Sequence, residues 1–237
     1  MYFGGMLLSL LLSCDVRVSH KPASLEIEAV SVCNTKPKGL KNSMKSSVVI
    51  SFINEEQEEV GKASGNYFKY RGNNFILTAA HVVQVPENVD LIVKERWGVD
   101  SSTVKVVYVD HDNDLAVLLL NRELSTVKPL KWRSKSTWDI NVGEDLYYTG
   151  HPMDMDHLTL RGSVSKVSPY SIVMQGFAYM GASGSAVFDR RGRVVGVVSA
   201  IKFDLAGNMF PQLIPTMVLI GPLGQLNNEM LNELLRK

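Results

Sequence analysis

Phe75-Ile76-Leu77-Thr78-Ala79-Ala80-His81-Val82-Val83 is a short apolar run that ends on two alanines and a lone histidine. A run of this length reads as a buried strand, which puts His81 just past a strand end. Two later segments have comparable punctuation. Asp110-His111-Asp112-Asn113-Asp114-Leu115-Ala116-Val117-Leu118 is an acidic turn feeding an apolar strand, and Met180-Gly181-Ala182-Ser183-Gly184-Ser185-Ala186 is a small-residue loop around a serine. Taken singly, a histidine after a strand is usually structural, an aspartate before one usually forms a turn, and Gly-x-Ser-Gly is usually a loop. Their order along one chain makes chance implausible.

Outward from these segments, the chain from Ser47 onward is a series of short apolar or alternating runs. Strands are expected at Val48 to Ile53, Tyr67 to Tyr70, Phe75 to Thr78, Asp90 to Lys94, Val104 to Val109, Leu115 to Leu120, Asp145 to Thr149, Leu158 to Val164, Ile172 to Gln175, Ala186 to Asp189 and Val194 to Ala200. Polar or glycine-bearing turns separate them, and so many short strands imply an all-β sandwich or barrel. At the C-terminus, Leu223, Leu226, Met230, Leu231, Leu234 and Leu235 fall at helical spacing after Pro222, the stripe of a closing amphipathic helix packed on the core.

The whole sequence has 237 residues, 25 Lys and Arg against 24 Asp and Glu, and 45% hydrophobic residues. That is enough apolar material for a real core, and a net charge of +1 with no basic block gives no footprint for nucleic acid. Cys14 and Cys33 form neither a disulfide framework nor a CxxC metal or redox pair. The apolar run Leu7 to Leu12 is too short to span a bilayer and has the size of a signal-peptide core. Leu11-Leu12-Ser13-Cys14 resembles a bacterial lipobox, which makes Cys14 the expected lipidation site and export the expected route. The stretch that follows, rich in Ser, Lys and Pro and without sustained periodicity, reads as a linker. The expected organisation is a signal peptide with lipobox at 1–14, a linker at 15–46 and one domain at 47–237.

Together the three segments resemble the trypsin-like serine proteases, in particular their HtrA/DegP-like branch. Phe75 to Val83 resembles the histidine motif, Asp114 to Leu118 the aspartate motif, and Gly181 to Ser185 the nucleophile motif. Tyr148-Thr149-Gly150-His151-Pro152 is similar to a Gly-x-Pro turn of this branch. The resemblance implies two six-stranded β-barrels of chymotrypsin type, a polypeptide substrate and no cofactor. It also implies a Ser183 nucleophile, a His81 base, an Asp114 that orients the imidazole, and an oxyanion hole from the N–H groups of Gly181 and Ser183. A PDZ domain, which such proteins commonly carry, is not expected after the C-terminal helix.

These residue types answer to one chemistry. A serine hydroxyl is a poor nucleophile at neutral pH until an imidazole takes its proton, and a carboxylate on the other ring nitrogen fixes the tautomer. Calcium binding at the Asp110, Asp112, Asp114 spacing is rejected, because Leu115 stands where an EF-hand needs glycine and Asn121 where it needs glutamate. No metal site is expected. His111, inside the acidic turn, reads as a surface residue. With Ala182 before Ser183 no carboxylate precedes the nucleophile, so activation by a new N-terminal ammonium is not expected. The resemblance places Phe177 and Ala178 opposite Ser199 and Ile201 as walls of the primary pocket, and because they carry no charge it implies a small or medium apolar side chain there. The contrasting expectation is a silent module that binds peptides or proteins on the same fold. Oligomeric state is not legible.

Overall fold

The computed structural model describes residues 36–95, 101–153, 155–204 and 212–236, with the side chains of 201–215 outside that description. In chain order the elements are α1 (Lys38–Ser46), β1 (Ser47–Ile53), β2 (Glu59–Tyr70), β3 (Asn73–Thr78), β4 (Asp90–Lys94), β5 (Ser101–Asp110) and β6 (Leu115–Leu120). They continue with β7 (Leu130–Lys131), β8 (Asp145–Gly150), β9 (Leu158–Ser168), β10 (Ser171–Gln175), β11 (Ala186–Asp189), β12 (Val194–Asp204), β13 (Gln212–Pro222) and α2 (Asn228–Leu234).

β1, β4, β5, β6, β3 and β2 pair in that order, and pairing of β1 with β2 closes them into a six-stranded antiparallel barrel. The short β7 lies along β2 in parallel. β10, β13, β12, β11, β8 and β9 close the second six-stranded barrel. The expected two-barrel all-β architecture with a C-terminal helix is thus what the chain adopts. Nearly all of β6 is buried, Leu115 to Leu118 completely so, which is why it reads as an unbroken apolar run rather than as an alternation. One core fills the first barrel and continues through Ala186, Phe188, Val194 and Val197 of the second to Leu223, Leu226 and Leu231. The second barrel has its own core around Leu146, Tyr148, Ile172, Met174 and Val218.

Four differences from the sequence reading have physical reasons. The last nine residues of the stretch read as a linker form α1, whose buried face is Gly39, Ser43 and Ser46, so no apolar 3.6-residue period betrays it. Its docking is polar and close: Asn42 Nδ2 donates to Gly192 O at 2.9 Å, and Thr149 Oγ1 donates to Ser43 Oγ at 2.9 Å. The compact unit accordingly begins at Pro37. β2 starts at Glu59, well before Tyr67, through small buried residues such as Ala63, Ser64 and Asn66.

β13 was not expected at all. Its ladder with β12 breaks between Ile201 and Lys202, and Pro215 falls within that break, where its missing N–H costs no pairing. Pro222 ends β13 rather than opening the helix. α2 starts at Asn228, where Asn227 Oδ1 accepts from the N–H groups of Glu229 at 2.9 Å and Met230 at 3.0 Å. Leu223 and Leu226 are buried in the connection before it.

Candidate active site

β3 ends at Thr78, and the fully buried Ala79 and Ala80 lead into one short 3₁₀ turn, Ala80–Val83. Small residues let the chain pass through the core here and deliver His81 to the surface, with its side chain 45% exposed. Asp114 stands where the β5–β6 turn re-enters the barrel, with φ of +50°. Asp110 shapes that turn by accepting from Asn113 N–H at 3.0 Å and Asn113 Nδ2 at 2.9 Å. Asp112 is exposed. Of the three carboxylates, Asp114 is the one turned onto the histidine.

Three donors converge on Asp114. His81 Nδ1 lies 2.8 Å from Oδ2 and 3.0 Å from Oδ1, the His81 backbone N–H donates to Oδ1 at 2.9 Å, and Ser199 Oγ donates to Oδ2 at 2.5 Å. Burial alone would raise the Asp114 carboxyl, but the hydrogen bonds from His81 and Ser199 outweigh it and hold the group below its ordinary value. An ionised carboxylate only accepts, so Nδ1 presents its N–H to Asp114 and Nε2 is the ring nitrogen left for proton transfer.

A depressed folded pKa has a definite sign in stability. Ionised Asp114 stabilises the fold above its unfolded value, near 3.8, and that contribution disappears as pH falls through the lower folded value. The difference in urea midpoint between the natural chain and Asp114→Asn is therefore expected to shrink on acidification below pH 3.8. A difference that grows as pH falls below that value contradicts the assignment.

The serine loop is held mainly by its carbonyls. Tyr179 to Ala182 form a β-turn closed by Ala182 N–H to Tyr179 O at 2.9 Å, and Gly181 at its third position has φ of +95°, as a type II turn requires. A Cβ there would also meet His151 O at 2.5 Å, so both conformation and space call for glycine. In a trans peptide the C=O and N–H point to opposite sides. Met180 O is taken by Met153 N–H at 2.9 Å, and Ala182 O by Ser185 N–H at 3.1 Å and Ser185 Oγ at 2.7 Å. The N–H groups of Gly181 and Ser183 are thereby turned away from those anchors, and among the described residues neither donates to a protein acceptor. Such a pair can receive an anionic oxygen.

Gly184 packs against Thr78 and Ala79, which brings the serine loop to the chain just ahead of His81. No hydrogen bond joins Ser183 to His81 among the described residues. Catalytic hydrogen bonds are often long in an unliganded site and close with substrate. His81, Asp114 and Ser199 line one open cleft of about 530 Å³, with Ala80, Gln84, His111 and Ala200. His111, read as a surface residue, is exposed and also borders this cleft, where Gln84 Nε2 lies 3.0 Å from its Nδ1.

The four residues expected at the pocket are placed differently from one another. Phe177 is 38% exposed, and its carbonyl accepts from Tyr148 Oη. Ala178 is buried in the core of the second barrel, and the hydroxyl of Ser199 is committed to Asp114. Ile201 lies on β12, with its side chain outside the described residues, as are Cys14, Cys33 and all of 1–35. Among the described residues, no group of three or more His, Cys, Asp or Glu side chains could hold a metal ion. The sequence reading missed Ser199 as a carboxylate partner, along with Ser64, Met153 and Ser185 as anchors of the serine loop. Nothing local distinguishes them from other residues of their types.

Residues 63–197, more than half of the chain, match the family model of the trypsin-like peptidase domain. The chain belongs to the trypsin-like peptidase family. It is similar to an HtrA-like serine protease of Staphylococcus epidermidis, with 32% identity over 175 residues, covering 64% of this chain and 28% of that protein. An HtrA-like serine protease of Staphylococcus aureus is 30% identical over 163 residues, 61% of this chain and 20% of that protein. The chloroplastic protease Do-like 1 of Arabidopsis thaliana is 26% identical over 155 residues, 60% of this chain and 34% of that protein. The chain thus spans about a fifth to a third of the length of these relatives.

Proposed function

We propose that this chain is an exported serine endopeptidase acting through an acyl-enzyme. The observation that carries the reading is the His81–Asp114 pair, 2.8 Å apart, beside a serine loop whose two outward N–H groups are set by pinned carbonyls. Ser183 Oγ attacks the carbonyl carbon of a peptide bond while its proton passes to His81 Nε2. The carbonyl oxygen becomes an oxyanion held by the N–H groups of Gly181 and Ser183. His81 then returns the proton to the departing amine, and a water molecule, deprotonated in the same way, releases the acid and frees Ser183. Asp114 keeps the proton on Nδ1 and stabilises the imidazolium between the two transfers. On the family resemblance, the substrate side chain beside the scissile bond is small or medium and apolar, as neither Phe177 and Ala178 nor Ser199 and Ile201 carry charge.

Export and attachment to a membrane by a lipid on Cys14 rest on the sequence of residues 1–14. Among the described residues, no helix is long and apolar enough to cross a membrane. One experiment tests both parts of the proposal: a fluorophosphonate probe applied to cells making the full chain, followed by separation of membrane and soluble fractions. The natural chain is expected to label in the membrane fraction, Ser183→Ala not at all, and Cys14→Ala in the soluble fraction. Absence of label on the folded natural chain removes the enzyme reading in favour of a peptide-binding module. Label that stays with the membrane in Cys14→Ala removes the anchor.

A further inference from the structure

We infer that Ser64, on β2 of the first barrel, is a positioning residue that sets the oxyanion loop of the second barrel through its side-chain hydroxyl. The inference rests on the proposal that Gly181 and Ser183 bind the oxyanion. Ser64 is fully buried, and each of its polar groups is engaged with the site. Its Oγ accepts from His151 N–H at 2.9 Å and donates to Gly181 O at 2.7 Å. Its backbone N–H donates to Ser183 O at 2.9 Å, and its backbone O accepts from Thr78 Oγ1 at 2.9 Å, three residues before His81.

The hydroxyl is the part of this residue that cannot be replaced by backbone. It links two segments of the second barrel, the turn at His151 and the turn at Gly181. The first of these supplies Met153, whose N–H holds Met180 O at 2.9 Å and so faces Gly181 N–H outward. Without the hydroxyl, a buried N–H and the Gly181 carbonyl both lose their partner, and such groups turn until they find another. The glycine at position 181 makes turning easy, because positive and negative φ are both open to it. Ser64 Oγ therefore removes a freedom that Gly181 necessarily brings, and it does so from the barrel that also carries His81 and Asp114.

The test compares the full chain with Ser64→Ala in four measurements: kcat and KM on an apolar fluorogenic peptide, affinity for a peptidyl trifluoromethyl ketone, melting temperature, and backbone hydrogen exchange. The ketone forms a hemiketal oxyanion on the enzyme, so it reports the hole directly. The expected result is a loss of about 10²-fold in kcat and in ketone affinity, the scale of one oxyanion donor, with KM changed by less than about threefold. Exchange is expected to quicken around residues 150–153 and 179–185 while β6 stays protected. Ser64→Cys, with a weak donor in nearly the same space, shows the same division between kcat and KM if the alanine variant does not fold. Unchanged kcat and unchanged exchange in these variants overturn the inference. Should the natural chain prove inactive, the proposed function fails, and exchange alone decides this inference: quickening confined to the two segments upholds it, and no change overturns it.

Discussion

His81→Ala is expected to lose about 10⁶-fold in kcat on a peptide substrate, with KM little altered, because removing the base silences the nucleophile it serves. The structure gives the loss two components. Of the two histidines that line the cleft, His81 is the one paired with a carboxylate, while His111 lies 3.0 Å from Gln84 Nε2. The substitution also takes away the ring donor of Asp114, leaving the carboxylate with the His81 backbone N–H and Ser199 Oγ. The check is steady-state hydrolysis together with a melting curve, which separates lost chemistry from lost fold. Retention of turnover within about tenfold of the natural chain would sink the assignment of His81.

Asp114→Asn is expected to cost about 10⁴-fold in kcat while the fold persists. Three donors meet at the two oxygens of Asp114, namely His81 N–H, His81 Nδ1–H and Ser199 O–H. An asparagine offers one oxygen and one NH2 to the same three donors. If its NH2 faces the ring, Nδ1 must accept and the proton moves to Nε2, where it blocks transfer from Ser183. If its oxygen takes the Oδ2 place and faces the ring, Ser199 O–H keeps its acceptor and the His81 backbone N–H meets an NH2 instead. A pre-steady-state measurement of acylation distinguishes this from slow product release, and a loss smaller than about 10² would show that the carboxylate is not the orienting group.

How far the molecule was legible from its sequence follows from where its information lies. The strands around the site were visible because each is a short apolar run between turn formers, and β6 most of all because it is buried on both faces. His81, Asp114 and Ser183 stood out by order and setting, and the geometry brings the first two together. Helix α1 was invisible because it buries glycine and serine, and β13 because Pro215 argues locally against a strand and is tolerated at a ladder break. The supports of the site were invisible for a different reason. Ser64 meets Gly181 across 117 residues of chain, and Ser199 meets Asp114 across 85, so no local pattern can announce either pairing.

Helix α1 also bears on the order of events during synthesis. It precedes β1, yet its docking partners lie on β8, β11 and the turn at Gly192, and the Asn42 to Gly192 bond joins residues 150 apart. A ribosome releasing the chain from the N-terminus makes the helix early and its landing surface late. The segment must wait, solvated and unhelped by any apolar face, until the second barrel closes. Its arrival is then a late step of folding, and a chain stalled before residue 192 would keep this end loose while the first barrel is already complete.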